Sequence, residues 1–175
     1  MAIIKEVRNF VPHIGNNCFL AETAAIIGDV TIGDNCSIWY GTVLRGDVNT
    51  ITIGNNVNIQ DGAVVHTLYQ RSTTTIGDNV SIGHNATIHG ATIMSNSLVG
   101  MGATVLDGAV VESGSIVAAG ALVTSGMKVE SGWIYAGVPA KKIKPLSPEQ
   151  QKDIVERIAN DYIMYASWYM NQAEK

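Results

Sequence analysis

The 175-residue sequence is short of charge and of rings, with 15% charged and 6% aromatic side chains. So little charge excludes a disordered chain, which depends on charge and low hydrophobicity to stay unfolded. It also excludes a coiled coil, whose outer positions need Glu and Lys in quantity. No stretch approaches the ~20 consecutive apolar residues of a membrane span. Eleven Lys and Arg against 15 Asp and Glu leave a formal net charge of −4, so no basic footprint for nucleic acid or an anionic membrane exists. The first eight residues alternate apolar and charged side chains and lack the unbroken apolar core of a secretion signal, which points to a soluble, cytoplasmic protein. Cysteine is equally scarce. Cys18 and Cys36 stand eighteen residues apart and read as small core residues of a reducing compartment rather than as a disulfide.

What is abundant is aliphatic side chains and glycine, and they recur in sixes. Ile14, Leu20, Ile26, Ile32, Ile38 and Leu44 form one series. After an offset come Ile53, Ile59 and Val65, then Ile76, Ile82 and Ile88, then Ile93, Val99, Val105, Val111, Val117, Val123 and Val129. Two residues before most of these stands a small or aliphatic side chain, as at Ala24, Val30, Cys36, Thr42, Ala63, Val80, Ala86 and Ala109. Two inward positions in every six mean a short strand followed by a tight corner, which Gly, Asn and Asp can turn. Three such strands close a triangular coil of eighteen residues. Coils then stack as parallel strands about 4.8 Å apart, a solenoid whose narrow bore has no room for rings.

Past Val129 the pattern ends. Ser147-Pro148-Glu149-Gln150 has the signature of a capped helix start, with Ser as N-cap, Pro at the first helical position and Gln closing the capping box. Ile154, Val155, Ile158, Tyr162, Tyr165 and Tyr169 then recur at three- and four-residue steps, an apolar stripe that should lie along one wall of the prism. The expected organisation is one structural domain, a parallel β-helix over 1–146 and a packed α-helix over 147–175.

Four histidines fall on this frame. His66 follows Val65 and His89 follows Ile88, so both face outward on one wall, one strand spacing apart, where a metal can bridge two imidazoles. His84 lies at the corner ending the second wall and should not reach the other two within one chain. If the three act together, His84 comes from a neighbouring subunit, and three-fold packing of triangular prisms supplies three equivalent sites. Three His ligands leave a coordination position open for water. The competing reading is three unrelated surface histidines, and His13, without partners, is read as surface. Arg45 lies on the same outward column below His66, with Asp47 in reach as an ion-pair partner. Gln60, flanked by Asn58, is one coil before His84.

Arg45-Gly46-Asp47, Asn58-Ile59-Gln60-Asp61, His66 and His84-x4-His89-Gly90 resemble the γ-class carbonic anhydrases, trimers of left-handed β-helices, over nearly the whole chain. The left hand comes from that resemblance, since the general crossover rule points the other way. The resemblance implies a homotrimer that interconverts CO2 and bicarbonate through a hydroxide on a metal. His66 and His89 of one subunit and His84 of the next would hold Zn2+, with Fe2+ or Co2+ as alternatives. Gln60 would orient the hydroxide, Asn58 would position CO2 or bicarbonate, Arg45 and Asp47 would bridge subunits, and Tyr162, with Tyr165 as competitor, would supply the helix tyrosine. The chain departs from the family where an acidic loop is expected: 68–75 holds no carboxylate, and Val48 stands where a Glu is expected. Slow hydration, or buffer as the proton shuttle, is the implied result. Relatives of this short-loop kind are also described as ferripyochelin-binding proteins or transferases. A hexapeptide acyltransferase, with Lys141, Lys142 and Lys144 meeting CoA phosphates, and a non-catalytic metal-stabilised scaffold are the alternatives.

Overall fold

A computed structural model describes residues 1–170; the end of the expected terminal helix, 171–175, lies outside the described residues. The chain winds into a left-handed parallel β-solenoid of about seven turns with one helix at its C-terminal end. Its strands are mostly two or three residues long because a six-residue repeat leaves no more between corners. The six-residue series resolves into three in-register columns. Ile14, Ile32, Ile53, Ile76, Ile93, Val111 and Val129 line the first wall. Leu20, Ile38, Ile59, Ile82, Val99 and Val117 line the second. Ile26, Leu44, Val65, Ile88, Val105 and Val123 line the third. All are buried except Ile14 and Leu20 of the first coil. The residues two places earlier, from Ala24 to Ala121, fill the corners between columns and are buried as well.

One ring enters the bore, against expectation. Tyr135 pairs in register with Val117, is only 6% exposed and closes the second column. The six-residue repeat gives way there, where the strands Trp133–Ala136 and Lys141–Pro145 pair antiparallel.

The corners carry the irregularities. Asn17, Asn35, Asn56, Asn79 and Asn96 turn the first corner with φ between +54° and +57°, a conformation Asn tolerates through its short polar side chain. Their amides bond coil to coil, Asn56 to Asn79 at 3.1 Å and Asn79 to Asn96 at 3.2 Å. Every departure from the six-residue spacing lies at the third corner, between the third wall and the first: nine residues separate Leu44 from Ile53, eleven separate Val65 from Ile76, and five separate Ile88 from Ile93. Two long strands, Ala25–Ile32 and Val43–Ile53, run through that corner and join the first and third walls into one sheet. Gly28 makes the turn possible, with φ +74° and a position where a Cβ would stand 2.5 Å from the Gly46 carbonyl oxygen.

The helix begins as its sequence predicts. Ser147 Oγ accepts from the Gln150 N–H at 3.1 Å, and Gln150 Oε1 accepts from the Ser147 N–H at 3.2 Å. A π-helical stretch, Gln151–Glu156, follows the first turn and leads into the α-helix Arg157–Met170. The helix lies along the second wall. Its deepest residues are Val155, Ala159 and Ala166, not the tyrosines of the expected stripe. Small side chains let the helix backbone approach the wall, and the rings flank them. Tyr169 packs on Phe19 with centroids 5.1 Å apart and edge-on to Trp39 at 5.4 Å. No described helix is long and apolar enough to cross a membrane. The two cysteines are free, Cys36 buried and Cys18 half-buried, as read from the sequence.

A column held by close stacking is sensitive to gaps. Ile82, fully buried between Ile59 and Val99, should cost about 2–5 kcal/mol when changed to Ala, read as a lower urea midpoint. A loss below about 1 kcal/mol would show that the wall collapses onto the cavity.

Candidate metal centre

At the third corner, successive coils bring four ionisable side chains into one line. His66 and His89 are in-register partners on adjacent strands, Val64–His66 and Thr87–His89. His66 Nδ1 lies 3.2 Å from His89 Nε2. Each ring's other nitrogen faces a carboxylate: His66 Nε2 meets Asp47 Oδ1 at 3.1 Å, one coil below, and His89 Nδ1 meets Asp107 Oδ2 at 2.8 Å, one coil above. The result is a ladder of carboxylate, imidazole, imidazole and carboxylate across four coils. It is tied at both ends, by Arg45 to Asp47 Oδ2 at 2.6 Å and by Ser72 Oγ to Asp107 Oδ1 at 2.7 Å.

Within the chain, Arg45 and Asp47 bond to each other. Separated by Gly46 alone, both side chains leave the same face of one strand, so the guanidinium reaches the carboxylate locally.

His84 stands apart, at the second corner, and makes a different set of contacts. Its Nδ1 lies 2.9 Å from Asp61 Oδ2, its Nε2 lies 3.5 Å from the Tyr162 hydroxyl, and its backbone N–H donates to Gln60 Oε1 at 3.2 Å. Gln60, buried, also donates from Nε2 to Asn58 Oδ1 at 3.0 Å, and Asn58 donates to Ser81 Oγ at 2.7 Å. Tyr165 packs edge-on against the Tyr162 ring, 5.4 Å between centroids, so Tyr162 is the helix tyrosine beside His84. A cavity of about 450 Å³ opens next to Gln60, His84 and Tyr162, walled by Leu98, Met101 and Ile158 among others. The eight residues singled out from the sequence thus form two clusters on one chain: Arg45, Asp47, His66 and His89 at one corner, Asn58, Gln60, His84 and Tyr162 at another. Among the described residues, no three His, Cys, Asp or Glu side chains converge closely enough to hold a metal.

The electrostatics agree with the geometry. Burial lowers the His66 pKa and the Arg45 charge adds to it, while Asp47 opposes both only in part, so the ring is neutral and able to act as a ligand. Burial alone would raise the Asp47 carboxyl, but the hydrogen bonds from Arg45 and His66 outweigh it and hold the group below the ordinary carboxylate range. Burial, followed by the Asp61 charge, pushes the Tyr162 phenol up to about 12, so it stays a hydrogen-bond donor at neutral pH. The fit to a divalent cation can be checked on the imidazole pair. Two nitrogens bound tetrahedrally at 2.0–2.1 Å lie about 3.3 Å apart, and the His66–His89 separation is 3.2 Å. When both outer nitrogens donate to their carboxylates, the two inner nitrogens each present a lone pair to the space between the rings.

Asp107, Ser72 and the pairing of Asp61 with His84 were not picked out from the sequence. Asp107 carries a usable signal, since it stands two residues after Val105, at the same corner one coil beyond His89. Ser72 has none, because it reaches the corner through a loop whose path the repeat does not determine.

Similarity to known proteins follows these features. The chain matches the bacterial transferase hexapeptide family (six repeats) over residues 12–46 and the hexapeptide repeat of succinyl-transferase over 73–107 and 95–125. It is a hexapeptide-repeat protein. It is 37% identical to protein YrdA of Escherichia coli over 99% of this chain and 97% of that one. It is 44% identical to γ carbonic anhydrase 2 of Arabidopsis thaliana mitochondria, over 94% of this chain and 60% of the other. To a carbonic anhydrase of Geobacillus kaustophilus it is 39% identical, over 90% and 86%. Among solved structures, a hexapeptide transferase family protein of Anaplasma phagocytophilum superposes with a TM-score of 0.91 at 44% identity, over 95% of this chain and 98% of the other. Within the hexapeptide-repeat class, the chain belongs to the γ-class carbonic anhydrase family.

The depressed Asp47 pKa has a direct consequence. Such a carboxyl stabilises the fold above its unfolded pKa of about 3.9 and loses that contribution as pH falls toward the lower folded value. Asp47→Asn should therefore show a shallower fall in thermal midpoint between pH 5 and pH 3, about those limits, than the parent protein. Parallel curves would mean that the ion pair contributes nothing to acid stability.

Proposed function

We infer that the protein interconverts CO2 and bicarbonate at metal centres shared between the subunits of a homotrimer, each made from His66 and His89 of one subunit and His84 of the next. The observation that carries this reading is the 3.2 Å approach of His66 Nδ1 and His89 Nε2, each ring backed by a carboxylate at its other nitrogen, together with a third carboxylate-backed imidazole, His84, on a separate edge of the same prism. Zn2+ suits three imidazoles best, and Fe2+ or Co2+ accept the same donors. A cation in such a site supplies a nucleophile from water near neutral pH.

The chain's own residues set up the rest. Gln60 is held by two hydrogen bonds, from the His84 backbone and to Asn58, so its amide has a fixed orientation toward a water or substrate oxygen beside His84. Asn58 is fixed in turn by Ser81. Tyr162 offers a neutral O–H on the same side. The apolar chamber lined by Leu98 and Met101 suits non-polar CO2 better than bulk water. The carboxylates near these histidines are engaged as hydrogen-bond acceptors, and the loop 68–75 has none, so a proton leaves by way of buffer.

The transferase reading draws on the name of the Anaplasma relative and of the matched repeats. Of its three lysines, Lys142 bonds Glu130 at 2.6 Å and lies 3.8 Å over the Trp133 ring, which leaves it poorly placed for a CoA phosphate.

Mixing separates shared sites from single-chain ones. His84→Ala and His89→Ala, each metal-loaded, should be inactive alone in stopped-flow CO2 hydration. Denatured together and refolded, they should regain activity, because hybrid trimers pair an intact His84 with an intact His66 and His89. No recovery, from variants that do assemble, would place the sites within single chains. A metal-loaded parent protein that hydrates CO2 no faster than buffer would end the reading altogether, and thiol release from acetyl-CoA would favour the transferase.

A further inference from the structure

We propose that Asp107, held by Ser72, is the positioning residue that sets the tautomer of His89 and thereby aims its Nε2 lone pair at the metal. This inference rests on the metal-centre reading above. Asp107 Oδ2 accepts from His89 Nδ1 at 2.8 Å, the shorter of the ladder's two imidazole–carboxylate contacts. An ionised carboxylate has no proton to give, so a neutral His89 must carry its hydrogen on Nδ1 and leave Nε2 bare. Asp107 does not choose this pose freely. Its other oxygen, Oδ1, takes the Ser72 hydroxyl at 2.7 Å. Ser72 Oγ also accepts from the Leu68 N–H at 3.2 Å, and its backbone carbonyl accepts from Asn49 Nδ2 at 3.0 Å.

Gly90 completes the case. It follows His89 directly, has φ +58°, and a Cβ there would run into Ser72 Oγ and Asp107 Oδ1. The serine and the aspartate fill the space a side chain would need, so the clamp is built into the packing of the corner. Asp47 does the same for His66 from below. The loop that lacks the expected acid thus has a task of its own, since one end of it anchors a metal ligand.

The test uses the full-length protein stripped of metal. Zn2+ affinity is measured by competition with a chromophoric chelator, and the His89 tautomer by 15N spectra of its ring nitrogens without metal. Asp107→Ala should weaken Zn2+ binding about 10–100-fold, with assembly and thermal midpoint kept, and should replace the single Nδ1–H tautomer by a mixture. Gly90→Ala, which removes neither group but displaces both, should shift both readouts in the same direction. An unchanged His89 tautomer in Asp107→Ala overturns the proposal, whether or not affinity falls, because a loss of affinity alone would reflect only the missing charge. If Asp107→Ala does not fold, Ser72→Ala takes its place, and an unaltered tautomer there is equally fatal. Should the parent protein bind no stoichiometric Zn2+, the metal reading fails by itself, and the tautomer measurement still decides whether Asp107 acts as a clamp.

Discussion

Everything in this molecule depends on in-register stacking of coils at the spacing of paired parallel strands, about 4.8 Å. A residue's chemical neighbours are the residues at the same register one coil above and one below. Inside the prism that rule produces columns of Ile and Val. Outside, at the third corner, it pairs His66 with His89, and Asp47 and Asp107 reach the rings from one coil below and one above, offset from the register positions opposite them. One lattice serves both purposes. The core needs side chains that tolerate identical neighbours, and the ladder needs a carboxylate at each end of an imidazole pair.

The same lattice explains why the candidate site is divided. Two imidazoles on adjacent coils at one corner meet at ligand distance, whereas His84, at a different corner, is oriented by Asp61 and neighbours Gln60 and Tyr162. All three of these histidines have one ring nitrogen against a carboxylate and the other turned away from it. On the proposed reading, that common pattern is what a centre built from two subunits requires of each half.

The fold was legible because a six-residue period with two inward positions admits few three-dimensional solutions. The three columns could be written out from Ile14 to Val129 before any coordinate, and the helix start at Ser147 was equally readable from its capping residues. What stayed hidden lies where the period ends or breaks. Tyr135 enters the bore where the repeat gives way to an antiparallel strand pair. Ala159 and Ala166 lie deeper than the tyrosines, which pack on the wall's own rings beside them, since backbone approach rewards small side chains that a hydrophobic stripe undervalues. Ser72 reaches Asp107 through a loop of irregular path, which the repeat does not determine.

The breaks in the period have a further meaning. Steps of nine, eleven and five residues between wall positions follow one another at one corner on successive coils, and the walls on either side keep their register throughout. That corner works as an expansion joint: chain can be added or removed there without shifting any buried column. Asp47, His66 and His89 stand at the mouth of this joint, so the surroundings of the histidine pair are the part of the protein freest to change in length while the two imidazoles stay where the strands put them. A site that must keep its chemistry and vary its access is well served by such a position.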